Sequence, residues 1–460
     1  MKCCWLACAA LLLILFPTYS QESPQNPFGI VEGFWFPEMT CELGVGWERI
    51  IFDWSQHQPE KSSDWNTLNV DDRWLKSASQ CQREVVGLLK NTPAWATDGE
   101  GGAGVPKNLA LPLDDPDNYW AAFVRKTVDY YGSRGVTHFI VWNEPDIDKD
   151  TYGHEFSGEL DDYFQLLKVA YLAAKSVNPA ANIHLAGTTY WHDVNEGREP
   201  YFERLLDRIL EDPDAANNDY YFDVMSLHIY FRTETVLQIV REMQANLSRH
   251  GMDKAIWINE MNSAPTDDPN WQVVRPQYPL DLEQQAAFLV QGAAMALYAG
   301  VERIAVYKLY DQQLPVGAES FGLLNPATGA ARPAYYAWQF VTRQFTHATN
   351  ATFAETETLQ SVQLSHKNGQ VTTVFWARTE QATQITLAAT SDKAYLIDQT
   401  GGMRLLTPVE GIYTLVLPAA RCNESDGCFI GGHVWTLVQP DGDSEIREVR
   451  GSEVQALVYN

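Results

Sequence analysis

The chain has 460 residues, of which 45% are hydrophobic and 20% are charged, and its formal net charge is −26. This length accommodates one large domain and a smaller one, and the apolar content is sufficient for a buried core, which excludes a disordered chain. A strongly acidic protein is repelled by nucleic acids and by anionic membrane surfaces, so neither is expected as a partner.

The first 20 residues have the pattern of an export signal. Lys2 supplies a positive start, residues 3–16 are apolar, and Ser20 precedes Gln21 at a suitable cleavage site. The apolar stretch is short for a membrane span, and no later stretch reaches the required length. The prediction is a secreted or extracytoplasmic protein, at the cell surface or in the periplasm, with no integral membrane span after signal removal. An uncleaved anchor is the alternative.

Four of the seven cysteines lie outside this signal: Cys41, Cys81, Cys422 and Cys428. An even number in an exported chain indicates disulfides. The last two close a short loop and form the preferred bridge, whereas the first two require the first two strand–helix units to meet. Neither pair has the spacing of a zinc site, so no metal is expected, and nothing in the sequence calls for a cofactor.

Strand-like and helix-like segments alternate from residue 28 to residue 345, as in a parallel sheet with crossover helices. The predicted strands are 28–31, 49–54, 85–89, 137–142, 182–187, 222–230, 255–262 and 303–307. The predicted helices lie between 33 and 47 and over 71–83, 117–132, 160–176, 201–211, 235–250, 282–299 and 334–345. Eight such units predict a (β/α)8 TIM barrel.

The pattern changes near residue 350. Short alternating segments such as 371–376 and 411–417 are separated by Gly, Asn and Asp, and no helical period is visible. This predicts an α/β fold with a C-terminal β-sandwich domain. The predicted organisation is a signal peptide over 1–20, a catalytic barrel over 21–347 and the sandwich over 348–460.

Two glutamates lie at the ends of predicted strands in matching contexts. Asn143-Glu144-Pro145 follows the fourth strand, and Asn259-Glu260 lies near the end of the seventh. The C-terminal ends of strands are where such barrels hold their catalytic residues, and a pair of carboxylates is what glycoside hydrolysis requires. An ordinary loop acid is the alternative for either one alone. Two matching contexts, far apart in the sequence, favour a catalytic pair.

The chain resembles the retaining glycoside hydrolases of clan A. It is most similar to the family 39 group, which contains β-xylosidases, α-iduronidases and bacterial exopolysaccharide glycosidases. The resemblance covers nearly all of the mature chain and implies a barrel followed by a β-sandwich. The residues that carry it are Gly44-Val45-Gly46-Trp47-Glu48-Arg49 with Trp54 and Pro59, Thr92-Pro93-Ala94-Trp95, Trp142-Asn143-Glu144-Pro145-Asp146, His228-Ile229-Tyr230 and Asn259-Glu260.

The resemblance implies a role for each of five residues. Glu144 is the expected acid/base and Glu260 the expected nucleophile of a double displacement. Arg49 and Tyr230 match the positions that keep the nucleophile ionised by charge and hydrogen bonding. Asn143 is expected to bind the 2-hydroxyl of the sugar, with a loop-fixing amide as the alternative.

Four further residues are weaker candidates for substrate contact. His228 is predicted on the same strand face as Tyr230, two positions on. It is expected to orient the acid/base or to contact the sugar, and the alternative is a core histidine. Trp95 is a stacking platform or a buried loop tryptophan. The eighth strand ends in Tyr307-Lys308, where the clan usually has Trp. A free Lys308 suits an acidic or sulfated sugar, but a partnered barrel lysine is the preferred interpretation.

The sequence therefore predicts a retaining O-glycoside hydrolase that acts on a poly- or oligosaccharide. Two alternatives stay open. One is a non-catalytic carbohydrate-binding protein on a barrel scaffold, and the other is a transglycosylase that uses the same two acids. The intact acids with their Arg and Tyr neighbours argue against a pure binding protein. The sequence does not assign an oligomeric state.

Overall fold

The computed structural model describes residues 26–151, 153–276, 278–423 and 427–439, together with two short strands at 446–447 and 456–457. It shows a closed parallel barrel followed by antiparallel sheets. The predicted export signal lies outside the described residues. Every helix in the described ranges is too short or too polar to cross a membrane.

Eight parallel strands close into the barrel, each beside its neighbour in the chain. Most are continuous buried runs, since the helices cover their outer face, and closure pairs the first strand with the last through Ile30 and Val306. The predicted TIM barrel is confirmed. The strands are β1 (Phe28–Val31), β2 (Trp47–Asp53), β3 (Glu84–Lys90), β4 (His138–Val141), β5 (Asn182–His184), β6 (Val224–Tyr230), β7 (Ala255–Asn262) and β8 (Arg303–Val306).

A helix follows each strand, close to the predicted bounds. They are α1 (Pro37–Leu43), α2 (Asp72–Gln80), α3 (Tyr119–Gly132), α4 (Leu160–Val177), α5 (Tyr201–Leu210), α6 (Thr233–Arg249), α7 (Leu282–Tyr298) and α8 (Pro333–Gln344). The first, α1, begins at a proline and is followed by Gly44, whose φ of 70° suits a glycine C-cap. Two short helices were not predicted, Trp54–His57 and Trp191–Asn195.

The C-terminal strands are β9 (Ala348–Glu355), β10 (Leu359–His366), β11 (Val371–Ala377), β12 (Thr383–Ala388), β13 (Ala394–Asp398), β14 (Met403–Leu406), β15 (Ile412–Leu417) and β16 (Trp435–Gln439). They form a six-stranded sheet, β9-β10-β11-β16-β13-β14, and a ribbon, β12-β15. Successive side chains of β11 face opposite sides: Phe375 packs towards the ribbon, whereas Trp376 joins the barrel core. The predicted β-sandwich is confirmed.

The sandwich is attached to the barrel through α6 and α7. Gln291 of α7 accepts a hydrogen bond from the Gly431 amide at 3.1 Å and donates to the Gly432 carbonyl at 3.0 Å. The amide of Thr233 donates to the carbonyl of Phe429 at 3.0 Å. These buried bonds fix the sandwich against the C-terminal end of the barrel.

Both expected disulfides are present. Cys41 in α1 is bonded to Cys81 directly after α2, with the Cα atoms 5.6 Å apart. Cys422 is bonded to Cys428, with the Cα atoms 4.2 Å apart, and closes a short loop next to Phe429. The first two strand–helix units therefore do meet, as the first bridge requires.

Candidate active site

A cavity of about 1280 Å³ lies at the C-terminal ends of the barrel strands. Its lining includes Glu144 after β4, Glu260 of β7 and Tyr307 after β8. It also includes residues of the C-terminal domain, among them Arg378 and Phe429. The strand ends of the barrel and one edge of the sandwich thus share one concave surface.

The two glutamates of the sequence prediction face each other in this cavity. One carboxylate oxygen of Glu144, one of Glu260 and a ring nitrogen of His228 all lie within 4.8 Å of one another. Carboxyl groups of a retaining pair are about 5–5.5 Å apart, and those of an inverting pair about 6.5–9.5 Å. Carboxylate oxygens this close together are compatible with the shorter, retaining separation.

The backbone after β4 turns sharply to present Glu144. Trp142 has φ 72° and Glu144 has φ 41°, a region that few non-glycine residues adopt and that often marks functional sites. The turn is fixed because the fully buried Trp142 donates its indole N–H to the Glu155 carbonyl at 2.9 Å. The Glu144 amide donates to the carbonyl of Gly187 at 3.0 Å.

Glu260 receives a hydrogen bond on each of its oxygens. Arg49 of β2 donates from Nη2 to Oε1, and Tyr230 of β6 donates from its hydroxyl to Oε2. Burial alone would raise the pKa of Glu260, but the charges of Arg49 and His228 and these two hydrogen bonds outweigh burial and hold its pKa below the ordinary value. Burial and the Glu260 charge raise the pKa of Tyr230, which keeps it a donor.

The pKa of the opposing acid, Glu144, is shifted in the other direction. Burial raises the pKa of Glu144, and the opposing charge and hydrogen bond of His228 do not cancel that rise. His228 Nδ1 lies 2.6 Å from Glu144 Oε1 and 3.5 Å from Glu260 Oε2. The imidazole is packed on Gly187, where an added Cβ would lie 2.2 Å from Nε2. Two carboxylates with opposite shifts are what an acid and a nucleophile need.

Asn143 and Tyr307 also lie in the lining. The side-chain oxygen of Asn143 is buried and has no hydrogen-bond partner among the described residues, so it is a ready acceptor for a substrate hydroxyl. The ring of Tyr307 is 6.2 Å from that of Tyr230. Burial and the Glu260 charge raise the pKa of Tyr307 well above the ordinary value, so its hydroxyl stays protonated.

Two predicted candidates lie outside the lining of this cavity, Trp95 and Lys308. Trp95 donates its indole N–H to the Gln58 carbonyl at 2.7 Å and packs between neighbouring aromatic rings. Lys308 forms an ion pair with Glu32, which itself faces the cavity. The placement of Trp95 therefore matches the alternative of a loop tryptophan. The placement of Lys308 matches that of a partnered barrel lysine.

Sequence reasoning missed several lining residues. Lys90 at the end of β3 pairs with Glu155, and both line the cavity. A charged residue at the end of a buried strand was the available signal for Lys90. No local pattern marks Arg378 or Phe429, because long-range packing brings the second domain to the barrel.

Among the residues that the structure describes, one cluster has ligand atoms close enough together to hold a metal ion: Glu144, His228 and Glu260. The Arg49 guanidinium already bonds to one oxygen of Glu260, and the Tyr230 hydroxyl bonds to the other. A second cation there would be repelled by Arg49. The arrangement fits acid and nucleophile chemistry better than metal binding.

The sequence matches no protein-family model and no curated protein. Solved structures, in contrast, cover most of the chain. A family 39 glycoside hydrolase from the gut symbiont Bacteroides cellulosilyticus WH2 aligns over 90% of this chain and 81% of its own, with 17% identity and a TM-score of 0.65. The fold is shared with family 39. This agrees with the resemblance carried by the sequence motifs.

Two other neighbours widen the comparison. A GH39 β-xylosidase from Caulobacter crescentus is 16% identical over 91% of this chain and 97% of its own, with a TM-score of 0.61. A GH30 endoxylanase from Clostridium papyrosolvens C71 is 12% identical over the same shares of both chains, with a TM-score of 0.59. At such identities the similarity establishes the fold.

Proposed function

We propose that this protein is a retaining O-glycoside hydrolase in which Glu144 is the acid/base and Glu260 the nucleophile. The observation that carries the proposal is the pair of opposite pKa shifts on two closely spaced carboxylates. The neighbouring glycoside hydrolases, including a β-xylosidase and an endoxylanase, support a carbohydrate substrate.

In the first step, a Glu260 oxygen attacks the anomeric carbon and forms a glycosyl ester while the bond to the leaving oxygen breaks. Glu144 donates its proton to that oxygen, so the leaving group departs as a neutral alcohol. Arg49 and Tyr230 keep Glu260 ionised before the attack and stabilise the carboxylate when it is later released.

In the second step, the ester carries no negative charge, which removes a cause of the raised pKa of Glu144. Glu144 then acts as a base and takes a proton from water as the water oxygen attacks the anomeric carbon. The ester bond breaks, Glu260 is regenerated, and the product keeps the configuration of the substrate. A transglycosylase would differ only in replacing water by a sugar hydroxyl.

The remaining lining residues position the reaction. His228, 2.6 Å from Glu144, holds the acid/base in place. Asn143 offers its unpartnered oxygen to the 2-hydroxyl, where contacts strengthen in the transition state. We further propose that the protein works outside the cytoplasm, a location that the two disulfides support.

The test is a screen of aryl β-xyloside, aryl β-glucoside, and β-1,4-xylo- and β-1,4-gluco-oligosaccharides against wild type, Glu260→Gln and Glu144→Gln. Wild type is expected to release sugar with retained configuration by NMR. Each variant should lose roughly 10²–10⁴-fold or more in kcat on the oligosaccharides. Gln preserves the shape of the pair and keeps an oxygen that accepts a hydrogen bond from Arg49, whereas Ala at 260 would remove this acceptor as well as the charge.

Glu302→Gln, an exposed position outside the cavity, is the matched control and should retain wild-type activity. Azide should restore part of the activity of Glu144→Ala on an activated aryl glycoside, because azide replaces the water that needs a base. Full activity in Glu260→Gln would exclude the nucleophile assignment. No turnover by the wild type or by either variant, with equal sugar binding by all three, would favour a binding protein.

A further inference from the structure

The C-terminal domain contributes directly to the catalytic cavity. Glu357, Arg378, Cys428 and Phe429 line it together with the barrel residues. Glu357 lies in the turn between β9 and β10, and Arg378 directly follows β11. Cys428 closes the disulfide loop, and Phe429 directly follows it. Three separate segments of the sandwich thus meet at one side of the cavity.

This wall is held in place by bonds to the barrel. The carbonyl of Phe429 accepts the backbone N–H of Thr233 at 3.0 Å. Arg378 Nη2 donates to Glu234 Oε1 at 3.0 Å, and its Nη1 donates to the Thr356 carbonyl at 2.9 Å. Because both anchors lie at the first turn of α6, directly after the β6 strand that carries Tyr230, the wall has a fixed position relative to the catalytic acids.

A series of aromatic rings connects Tyr230 with this wall. The ring centroids of Tyr230 and Phe321 are 5.3 Å apart, and those of Phe321 and Phe231 are 5.8 Å apart. The series continues to Tyr278 at 5.0 Å and from there to Phe429 at 5.1 Å. All five rings line the cavity. Aromatic faces are suitable surfaces for the apolar faces of sugar rings.

The charges of the lining favour a neutral ligand over a strongly anionic one. Six glutamates line the cavity, against four arginines and lysines. Ion pairs join lining cations to lining glutamates: Arg49 with Glu260, Lys90 with Glu155, and Arg378 with Glu234. Even with Glu144 protonated, five lining glutamates face four arginines and lysines, so the lining has no excess of positive charge to attract a polymer of carboxylated or sulfated sugars.

We propose that the C-terminal domain completes the substrate cleft and that the substrate is a neutral saccharide chain. In this proposal, which rests on the proposed function, the chain extends from the catalytic acids along Tyr278 and Phe429 to Arg378. The cavity volume of about 1280 Å³ exceeds the range of about 300–1,000 Å³ typical of small-molecule sites. That size fits a ligand of several sugar units.

The kinetic test compares Arg378→Ala and Tyr278→Ala with Arg421→Ala. Arg421 forms an ion pair with Asp281 between the same two domains, but neither residue lines the cavity. The measured quantity is the ratio of kcat/KM for neutral β-1,4-oligosaccharides of two to six units to kcat/KM for the aryl glycoside of the same sugar. This ratio should rise with chain length in wild type.

Arg378→Ala and Tyr278→Ala are expected to lower the ratio for the longer chains by about tenfold or more, the size of one lost charged hydrogen bond. Arg421→Ala should keep the wild-type ratio. An unchanged ratio in both cavity variants, or no dependence of the wild-type ratio on chain length, would overturn the proposal.

A binding measurement separates this proposal from the hydrolase assignment. Calorimetric titration of Glu260→Gln with the same neutral oligosaccharides should show affinity that increases with length and is lost on adding Arg378→Ala. If the wild type turns over no substrate while this pattern holds, the hydrolase assignment fails and the chain-binding wall stands. Tighter binding of an oligogalacturonate than of every neutral chain, or no neutral chain bound, would overturn the wall as proposed.

Discussion

At the scale of single residues, Glu144 and Glu260 differ only in their neighbours. Glu260 has an arginine and a tyrosine hydroxyl bonded to its two oxygens, whereas Glu144 has one histidine. Glu260 is buried and Glu144 is half-buried, and desolvation disfavours the charged form of both. The fixed guanidinium of Arg49 therefore decides which acid stays ionised.

We expect a bell-shaped dependence of kcat/KM on pH. The proposed mechanism requires Glu260 ionised and Glu144 protonated, so activity falls as the pH drops through the lowered pKa of Glu260. It also falls as the pH rises through the raised pKa of Glu144. In Glu144→Gln, the remaining turnover of an activated aryl glycoside should show no alkaline fall. An alkaline limb that persists in that variant would assign it to another group.

Glu144 and Glu260 were predicted from the sequence because they lie at the ends of predicted strands, whereas Arg49 and Tyr230 were predicted from the resemblance. Strand ends of a parallel barrel converge on one face, and alternation along β6 places His228 and Tyr230 on the same side. The same logic fails for Lys308, because a strand-end position does not fix where a long side chain points. Its partner Glu32 follows β1, which becomes its neighbour only when the barrel closes.

At the scale of elements, the predicted strands and helices match the structure closely because long buried runs and amphipathic periods specify them. The fifth strand is the clearest exception, since it was predicted to reach Gly187 but ends at His184. Beyond that point, the Ala186 amide bonds to the Tyr163 hydroxyl at 2.8 Å instead of to a strand. An apolar sequence alone does not reveal that a side chain has replaced the sheet partner.

The two disulfides are expected to contribute unequally to stability. Cys41 and Cys81 are 40 positions apart in the sequence, whereas Cys422 and Cys428 are 6 positions apart. The entropy that a disulfide removes from the unfolded chain grows with the length of the loop that it closes. Replacing Cys41 and Cys81 by Ser should lower the free energy of unfolding by about 4 kcal/mol. The same change at Cys422 and Cys428 should lower it by about 2 kcal/mol. Urea denaturation of the two double variants measures both values, and the reverse order would contradict the loop-entropy explanation.

At the scale of the whole molecule, α7 belongs to both domains. Residues 285–296 of this helix are all buried, because the barrel covers one side and β9 and β10 lie against another. Ala and Leu are frequent in this helix and lie on all of its sides, which is typical of a helix enclosed by two layers. That composition predicted the helix, but it did not predict that the sandwich is the second layer that packs against it.

Because the domains share this helix, barrel and sandwich are expected to unfold in one transition. Trp376 packs into the barrel core, whereas Phe375 faces the ribbon on the far side of the sheet. Phe375→Ala should cost about 3–5 kcal/mol. Like Trp376→Ala, it is expected to lower the temperature at which the barrel loses aryl glycosidase activity.

Calorimetry, with residual activity measured after heating, tests this coupling. The wild type and both variants should each show a single heat-absorption peak whose midpoint coincides with the loss of activity. Two peaks, with Phe375→Ala shifting only one and leaving the inactivation temperature unchanged, would mean that the sandwich unfolds alone. A coupled transition would mean that a substitution in the outer layer of the sandwich destabilises the barrel that carries Glu144 and Glu260, through β11 and α7.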